Sequence, residues 1–480
     1  MDNDNKILKY KHFIVVAFFT ALTLILGTNT LYQGDYFWHL KAGEYIANNH
    51  VIPIHDVFSW YGVSQNLDWF SHEWLSELIF YIIYSVFGHL GNIILSVLVT
   101  AFVIGFLYVK NRENFGKNLI VSMVWFLIFS FEIKDFTNPR PYMFSYILLM
   151  ITLYILQTYR IRDTKSVWAL PIISIIWANI HGGSSSMTYI LIFIVIITGL
   201  FNFEFLKIKS IKLSAQKLKV LSVNFILSIL AIALNPKGFS MILYPYVNMN
   251  DKLPLSVISE WESPDIKNSE EFLIFVILGL AILLLLIIKE QIDLYDLVIT
   301  LAFTYLTLKS VRFVVLFLIA VTPIVLTYAK GFTKIDLWEK LLLFMTMLTI
   351  VMICMYPKSL RLPMSQPINL VTQPSTKAVD IIKEQKPQRL LNDYGWGGYL
   401  IYNNIPVFID GRADMYSKNI FPEYLAVVNV GTYTKKIINK YNFDMVIIPA
   451  GSTLDVYLSE WSDYQNIYRD DTTVLYKKVN

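Results

Sequence analysis

The stretch FIVVAFFTALTLILGTNTLY, residues 13–32, is apolar along most of its length. A hydrocarbon core of about 30 Å needs roughly 20 apolar residues in one helix, so this stretch is long enough to cross a bilayer. It is longer than the apolar core of a typical signal peptide, and no small-x-small cleavage site follows it. We therefore predict that residues 13–32 form an uncleaved first membrane helix.

Apolar stretches of similar length recur as far as Met355. The 480 residues are 55% hydrophobic and 16% charged, with a mean hydropathy of +0.51, which excludes an ordinary soluble domain. The net charge of +4 is mild and arises from one-sided loops, so we expect no nucleic-acid partner. The single cysteine, Cys354, excludes an intramolecular disulfide.

Lysine and arginine residues are concentrated in alternate loops, and by the positive-inside rule those loops are cytoplasmic. The basic segments are Lys6 to Lys11, Lys110 to Lys117, Arg160 to Lys165, Lys207 to Lys219 and Lys330 to Lys340. The segments expected to face outward are Gly34 to His72, Lys134 to Pro141, His181 to Ser186, Pro236 to Glu271 and Lys309 to Arg312. The alternation predicts an integral plasma-membrane protein with about eleven spans and a cytoplasmic N-terminus.

Two segments depart from the simple alternation of inner and outer loops. Glu73 to Gly88 and Leu90 to Val109 must together cross the membrane only once, so we expect the first of them to lie at the interface. The inner loop from Lys289 to Asp296 has the weakest basic bias, because its acidic residues stand beside one lysine.

The tail beyond Tyr356 has a soluble character and follows a proline-rich linker. We predict a polytopic α-helical membrane domain of residues 1–356, with long outer loops at 33–72 and 236–271. A small extracytoplasmic α/β domain of residues 357–480 follows it. The elements predicted in this tail are helices at Thr376–Gln385 and Pro422–Tyr441, and strands at Arg389–Asn392, Val407–Asp410, Asp444–Pro449 and Thr472–Lys477.

The first outer loop begins GDYFWHLKAGEYIANN at residue 34 and ends DWFSHEWLSE at residue 77. Its first part is predicted to be an amphipathic helix lying at the headgroups. Asp35 stands where the first span emerges, where a carboxylate can bind a cation, act as a base or hold an acceptor; the alternative is a helix N-cap. For His39, His72 and Glu73, a metal cluster and solvated interfacial side chains are the alternatives.

Two further outer segments carry charged candidates. Glu260 lies in SVISEWESPD, residues 256–265, inside a loop long enough to be functional or mobile. Arg312 lies in LKSVRFVVLF, residues 308–317, where it either binds a lipid phosphate or extends to the headgroups. Arg140, in NPRPYMFSY, has the same two interpretations.

The tail contains LLNDYGWGGYLIYNNIPVFIDGR, residues 390–412. Its glycines allow tight backbone turns, and its aromatic residues present stacking surfaces. The GWGG run matches neither a P-loop nor a dinucleotide fingerprint, so by itself it indicates a turn beside a strand.

Taken in order, these segments resemble the GT-C glycosyltransferases, in particular oligosaccharyltransferase catalytic subunits. GDYFWHLKAGEYI is similar to the stretch that opens the family's first external loop, and SVISEW resembles the SVSE or TIxE element, with Glu260 as the matching acid. SVRF is similar to the segment that supplies the phosphate-holding arginine, here Arg312. NDYGWGGYLIYNNIPVFIDGR is similar to the WWDYG block and the strand after it. The chain also resembles bacterial GT-C-like membrane proteins, with HGG beginning at His181.

The resemblance implies transfer of a sugar, with inversion, from a polyprenyl-phosphate or polyprenyl-diphosphate donor to an acceptor at the outer membrane face. The acceptor is a protein, a glycan or a lipid. Asp35 would be the acceptor-activating or metal-binding acid assisted by Glu260, and Arg312 with Arg140 would bind the donor phosphate. A divalent cation, Mg²⁺ or Mn²⁺, is implied at Asp35, Asp135 and Glu260. The residues expected to serve the acceptor or the loop structure are His39, His72, Glu73, His181, Asp393, Tyr394, Asp410 and Arg412.

The chain departs from the family pattern at two places. The family's second outer loop carries two acids separated by one residue, whereas Asp135 is followed by Phe136 and Thr137. The double tryptophan of WWDYG is replaced by Leu391 and Asn392, so protein N-glycosylation is not predicted. The rival functions are a non-enzymatic transporter of lipid-linked glycans, in which polar residues would line a path at mid-membrane, and a binding scaffold.

Overall fold

The computed structural model describes residues 2–27, 34–117, 119–248, 259–268, 271–287, 291–329, 373–416 and 420–479. Several predictions fall outside these ranges. They are the end of the first span at residues 28–32, the SVI of SVISEW, and the stretch 330–372, which includes the last predicted span and the domain boundary at residue 356.

The chain is mostly helical and divides into two compact units. Unit 1 comprises Met1–Thr30, Ile93–Thr137 and Pro141–Leu362. Unit 2 comprises Leu31–Asn92, Asn138–Arg140 and Pro363–Asn480, so the first outer loop and the tail belong to the same unit.

The helices and strands have the following bounds. The helices are α1 Asp2–Leu26, α2 Gly34–Asn49, α3 Trp60–Gln65, α4 Trp74–Lys117, α5 Leu119–Ile133, α6 Tyr142–Ile161, α7 Leu170–Ile180, α8 Met187–Leu200, α9 Ala215–Ile232, α10 Ser240–Asn248, α11 Phe272–Ile287, α12 Leu294–Lys309, α13 Val314–Ala329, α14 Thr376–Gln385, α15 Gly397–Tyr402, α16 Ala413–Tyr416, α17 Phe421–Val428, α18 Thr434–Tyr441 and α19 Thr453–Ser459. The strands are β1 Glu204–Phe205, β2 Ile208–Lys209, β3 Ile292–Asp293, β4 Leu390–Asn392, β5 Met445–Pro449, β6 Tyr464–Arg469 and β7 Thr473–Lys478.

The described residues contain long apolar helices of the kind found in membrane proteins. Within the described residues, 5 helices are long and apolar enough to cross a bilayer. They are Trp74–Lys117, Tyr142–Ile161, Gly182–Leu200, Ala215–Ile232 and Val311–Ala329. Shorter apolar helices lie at His12–Leu26, Lys165–Ile180 and Leu273–Leu285. The total of about eleven spans stays a prediction.

Two of the predicted inner loops of unit 1 meet in a small sheet with the strand order β1-β2-β3. Strand β2 pairs in parallel with β3, and the Ile292 amide donates to the Lys207 carbonyl over 2.7 Å. Arg160 forms an ion pair with Asp293, at 2.5 Å. The weakly basic loop at residues 289–296 therefore lies on the same side of unit 1 as the basic loops near residues 160 and 207.

Predicted outer segments of unit 1 also contact one another. The Ser310 hydroxyl donates to the Glu260 carbonyl over 3.0 Å, and the Val311 amide donates to the Glu262 carbonyl over 3.0 Å. The short 3₁₀ turns Ser259–Trp261 and Val311–Phe313 are thereby joined. These contacts agree with the alternation of loops that the charge pattern predicts.

Helix α4 is broken inside its span. Gly88 has φ 62° and ψ −161°, a conformation that is essentially restricted to glycine. The break stands where the sequence predicts that an interfacial segment ends and a crossing segment begins. The aliphatic side chains of Ile82 and Val86, just before the break, are exposed.

Unit 2 contains a four-stranded sheet with the order β4-β5-β7-β6, in which β4 and β5 are parallel and the other pairs antiparallel. Helix α14 has the predicted bounds, and β4, β5 and β7 agree with prediction within one residue at each end. Strand β6 and helices α15, α16 and α19 were not predicted.

Two predictions for the tail are wrong. Residues 407–410 do not form a strand: Val407 makes an isolated bridge with Ser59, and the Asn392 side-chain oxygen accepts the amides of Phe408 and Ile409. The predicted helix Pro422–Tyr441 is two helices, α17 and α18. Val430, with φ 52° in the left-handed region, lies between them and ends the first helix.

Candidate functional site

Asp35 lies in the first turn of α2, and its carboxylate is held by two side chains. The Arg140 guanidinium is 2.6 Å from one carboxylate oxygen, and the Trp38 indole donates to the other over 3.1 Å. The side chain of Asp35 is 26% exposed and that of Arg140 is 13% exposed. Asp35 therefore combines a fixed orientation with access to solvent, and the N-terminal end of the helix dipole favours its negative charge.

Glycines allow the backbone of the GWGG region to approach the start of α2. A Cβ atom on Gly34 would lie 2.3 Å from the Gly395 carbonyl oxygen, and one on Gly398 would lie 2.1 Å from the Gly34 carbonyl oxygen. A Cβ atom on Gly411 would lie 2.0 Å from a carboxylate oxygen of Asp35. A larger residue at any of these positions would displace the atom that it meets, so GWGG and DGR shape the surroundings of Asp35.

Asp393 and Tyr394 lie at the turn that precedes GWGG. The Asp393 carboxylate accepts the Gly395 amide over 2.9 Å and caps the short 3₁₀ turn Tyr394–Trp396. Burial, followed by the negative charges of Asp35 and Asp410, raises the pKa of Tyr394 well above its usual range. The Tyr394 hydroxyl is therefore protonated at neutral pH and available as a hydrogen-bond donor.

Arg412 is the centre of a fully buried ion network. Its guanidinium contacts Asp410 at 2.6 Å and 2.7 Å and Asp56 at 2.6 Å. The Tyr416 hydroxyl also donates to Asp410, over 2.6 Å, and the guanidinium stacks on Trp69. This network ties the first outer loop to the tail inside unit 2, so we assign Asp410 and Arg412 a structural role.

His39 and Glu73 lie together with Glu77, which sequence reasoning missed. His39 Nδ1 is 3.3 Å from a Glu77 oxygen, and His39 Nε2 is 3.8 Å from a Glu73 oxygen. Among the described residues, these three form a group whose donor atoms lie close enough to hold a metal ion. His72 is 3.6 Å from the other Glu73 oxygen and 4.0 Å from Asp414.

In unit 1, Glu260 and Arg312 lie on the two adjoining 3₁₀ turns, and the Arg312 guanidinium stacks on the Trp261 ring at 5.2 Å. His181 and Arg312 line a small cavity of about 20 Å³, large enough for one water molecule. The His181 ring bonds the Ser145 hydroxyl at 2.6 Å.

The predicted site residues are thus distributed over both units. Asp35 and Arg140 meet in unit 2, whereas Glu260 and Arg312 lie on two adjoining turns of unit 1. The convergence of Asp35 with Glu260 and Arg312 stays a prediction. Asp135 forms an ion pair with the neighbouring Lys134.

Several residues that build the site were not predicted: Trp38, Asp56, Glu77, Gly411 and Asp414. Glu77 had a sequence signal, because it follows Glu73 by four positions and so shares its helix face. Asp56 and Gly411 had none, because their importance comes from contacts with distant parts of the chain.

Comparison with known proteins shows which solved structures have a similar fold. No family model matches the chain, and no curated protein matches it. Solved structures do match. The apo oligosaccharyltransferase of Archaeoglobus fulgidus has a TM-score of 0.53 and 12% identity, covering 92% of this chain and 70% of that chain. The same enzyme tethered to an acceptor peptide with the NVT sequon has a TM-score of 0.52 and 12% identity, covering 98% of this chain and 74% of that chain.

A third structure, the archaeal enzyme in complex with an inhibitory peptide and a dolichol-phosphate, has a TM-score of 0.50 and 12% identity, covering 92% of this chain and 69% of that chain. The chain therefore has the fold of these oligosaccharyltransferase structures, which supports the resemblance to the GT-C glycosyltransferases. At this identity the likeness establishes the fold, and the roles of individual residues rest on their own geometry. In this chain, Asp35 lies in the first turn of the helix that opens the first long loop.

Proposed function

We propose that this GT-C-fold protein is an inverting glycosyltransferase that moves a sugar from a polyprenyl-phosphate or polyprenyl-diphosphate donor to an acceptor at the outer face of the plasma membrane. The observation that carries the proposal is the Asp35 carboxylate, held by Arg140 and Trp38 and still open to solvent. A lipid-linked donor suits this architecture because its lipid stays in the bilayer while its sugar reaches the interface. The archaeal structure with dolichol-phosphate supports a donor of this class.

The proposed step is a single displacement at the anomeric carbon. The acceptor's nucleophilic atom forms a bond to that carbon, and the bond from the carbon to the donor phosphate oxygen breaks. Asp35 takes the acceptor's proton, and the bonding electron pair leaves with the phosphate. In this proposal Arg312 stabilises the departing phosphate, which a preorganised cation does for any anionic leaving group, and Glu260 assists Asp35.

The predicted divalent cation at Asp35, Asp135 and Glu260 stays a prediction, and two of these carboxylates already have a cationic partner. The Asp35 carboxylate already contacts the guanidinium of Arg140 at 2.6 Å, and Asp135 is paired with Lys134. A second cation at Asp35 would be repelled by the guanidinium. The proposed step therefore uses the side chains alone.

The test starts with native mass spectrometry of the purified full-length protein, to find a co-purified polyprenyl-linked glycan. The same lipid then serves as donor in a transfer assay with membrane extracts as the source of acceptor. We expect Asp35→Asn to retain the lipid and to lower the transfer rate by about 10²–10⁴-fold. Asp68→Asn, at a 94% exposed position of the same loop, is the matched control. Full transfer by Asp35→Asn, or a bound nucleotide sugar in place of the lipid, would contradict the proposal.

One observation favours a second candidate, a non-enzymatic transporter or binding scaffold for lipid-linked glycans. Unit 1 contains a cavity of about 650 Å³ lined by apolar residues together with Lys110, Arg162 and Asp296. A cavity of this size accommodates part of a lipid. A protein that binds the polyprenyl-linked glycan tightly, and whose wild-type and Asp35→Asn forms both leave the sugar on the lipid, would favour this candidate.

A further inference from the structure

A buried group of three metal-binding side chains lies one helical turn from Asp35. His39 follows Asp35 by four positions on α2. Glu73 immediately precedes α4, and Glu77 lies in the first turn of that helix. The side chain of His39 is 2% exposed and that of Glu77 is 1% exposed. The group is thus shielded from solvent and built by two elements of unit 2 that the sequence separates.

The two elements are in close contact at this point. A Cβ atom on Gly43 would lie 2.1 Å from the carbonyl oxygen of Glu77, so α2 and α4 pack backbone to backbone one turn beyond His39. The Ser71 hydroxyl donates to Glu77, and the Trp38 ring packs against the His39 ring in a tilted arrangement with the ring centroids 3.7 Å apart. The donor side chains are therefore held in position by their neighbours, which a metal site requires.

We propose that His39, Glu73 and Glu77 bind one Zn²⁺ ion. One imidazole nitrogen and two carboxylate oxygens are a donor set that zinc accepts, with a water molecule as fourth ligand. Tetrahedral ligands at about 2.0–2.1 Å from zinc lie about 3.3 Å from one another. The short contacts of 3.3 Å and 3.8 Å involve different ring nitrogens, Nδ1 toward Glu77 and Nε2 toward Glu73. One ligand atom from each of the three side chains lies within 4.8 Å of the other two, so the group can close around one ion through a single imidazole nitrogen.

The bound ion joins α2 to α4 and so fixes the helix that carries Asp35. Its positive charge also lowers the repulsion between the two buried carboxylates, which is strong in a medium of low dielectric constant. The competing explanation is a protonated His39 between the two carboxylates, with no metal. The two explanations differ in metal content, which is independent of any transferase activity.

The experiment uses the purified full-length protein in detergent, stripped with a chelator and then titrated with ZnCl₂ or MgCl₂. We expect the wild type to take up about one equivalent of Zn²⁺, to bind Mg²⁺ far more weakly, and to show a Zn²⁺-dependent rise in the Tm. Glu77→Gln keeps the side-chain size and is expected to weaken Zn²⁺ binding by at least about 100-fold. Loss of a direct ligand should have a larger effect than loss of a group that only hydrogen-bonds to a ligand.

Two further variants make the result decisive. Glu44→Gln changes a more exposed glutamate on α2, the helix that carries His39, and is expected to bind Zn²⁺ as the wild type does. Glu73→Gln, at a less buried ligand, is expected to lose binding even if Glu77→Gln fails to fold. Failure of the wild type to take up Zn²⁺, or equal uptake by wild type and Glu73→Gln, would overturn the proposal and favour the protonated histidine.

Discussion

The guanidinium of Arg140 lies 2.6 Å from the carboxylate of Asp35, although the two residues belong to different outer loops of the sequence. Both are in unit 2, because residues 138–140 join the first outer loop there. One carboxylate oxygen of Asp35 contacts Arg140, and the other accepts a hydrogen bond from the Trp38 indole. Arg140 is therefore a positioning residue for Asp35 in the proposed reaction, in addition to its predicted role at the donor phosphate.

Removal of Arg140 tests this positioning role. We expect Arg140→Met to lower kcat by about 10²-fold, because a displacement of about 1 Å in a reacting group has an effect of that size. A phosphate-binding role alone would mainly raise the KM for the lipid donor. The measurement is the transfer rate against donor concentration, with Arg389→Met, at an exposed position of the same unit, as control. An unchanged kcat in Arg140→Met would contradict the positioning role.

Gly411 is expected to be essential because it touches Asp35. In Gly411→Ala the new methyl group would lie 2.0 Å from the Asp35 carboxylate, so the carboxylate or the DGR loop must move. We expect transfer to fall by about 10²-fold while the protein still folds. Gly431→Ala is the matched control, because its nearest contact would be an ordinary 3.4 Å. Equal activity in the two variants would show that Asp35 tolerates displacement.

The buried pair of Asp56 and Arg412 predicts an acid-sensitive stability. Burial alone would raise the pKa of Asp56, but Arg412 and hydrogen bonds from Ser59 and Phe58 lower it below its usual value. Because the pKa of the folded state is below the unfolded value of about 3.9, this stabilisation is present above that pH. It is lost as the pH falls through the folded pKa.

We therefore expect Asp56→Asn to lower the free energy of unfolding by about 3–5 kcal/mol at neutral pH, because it leaves a buried guanidinium with one carboxylate fewer. The variant should also lose part of the fall in Tm that the wild type shows as the pH drops below about 4, because the folded-state pKa of Asp56 lies below its unfolded value. Thermal unfolding across this pH range is the measurement, and Asp68→Asn is the exposed control in the same loop. A wild-type pH profile in Asp56→Asn would contradict the assignment.

Gly88 is expected to fix the break in α4. Its backbone conformation is strained for any residue with a Cβ atom, so Gly88→Ala should lower the free energy of unfolding by about 1–3 kcal/mol or straighten the helix. Gly116→Ala, in the same helix with open space around the added atom, should change stability by less. Spin labels on either side of Gly88 would report a change in the angle. Equal stability and an equal angle in the two variants would show that the break has another cause.

Much of the fold follows from local sequence. Apolar length and composition indicate a membrane protein, and one-sided Lys and Arg indicate which loops share a face. The pairing of β2 with β3 and the contacts of Ser310 with Glu260 agree with that alternation. Helix α14 was predicted with its bounds, because it carries a clear amphipathic pattern.

The site is less predictable, and particular residues show why. Asp35 and Glu73 stand out in the sequence because they are ionisable residues near apolar segments. Gly411 and Asp56 do not stand out. Gly411 matters because it has no side chain beside Asp35, and Asp56 matters because it pairs with the Arg412 guanidinium from the tail. The strand predicted at residues 407–410 is also absent, and the side chain of Asn392 accepts backbone amides of this segment.

The sequence by itself determined that the chain is a membrane protein with helical spans, alternating loops and a mixed tail, because those features depend on local hydrophobicity and charge. The tertiary structure alone decided that Arg140 holds Asp35, that Arg412 joins the tail to the first loop, and that His39 meets Glu73 and Glu77. Such contacts depend on how distant segments pack, and packing is set by the whole chain at once.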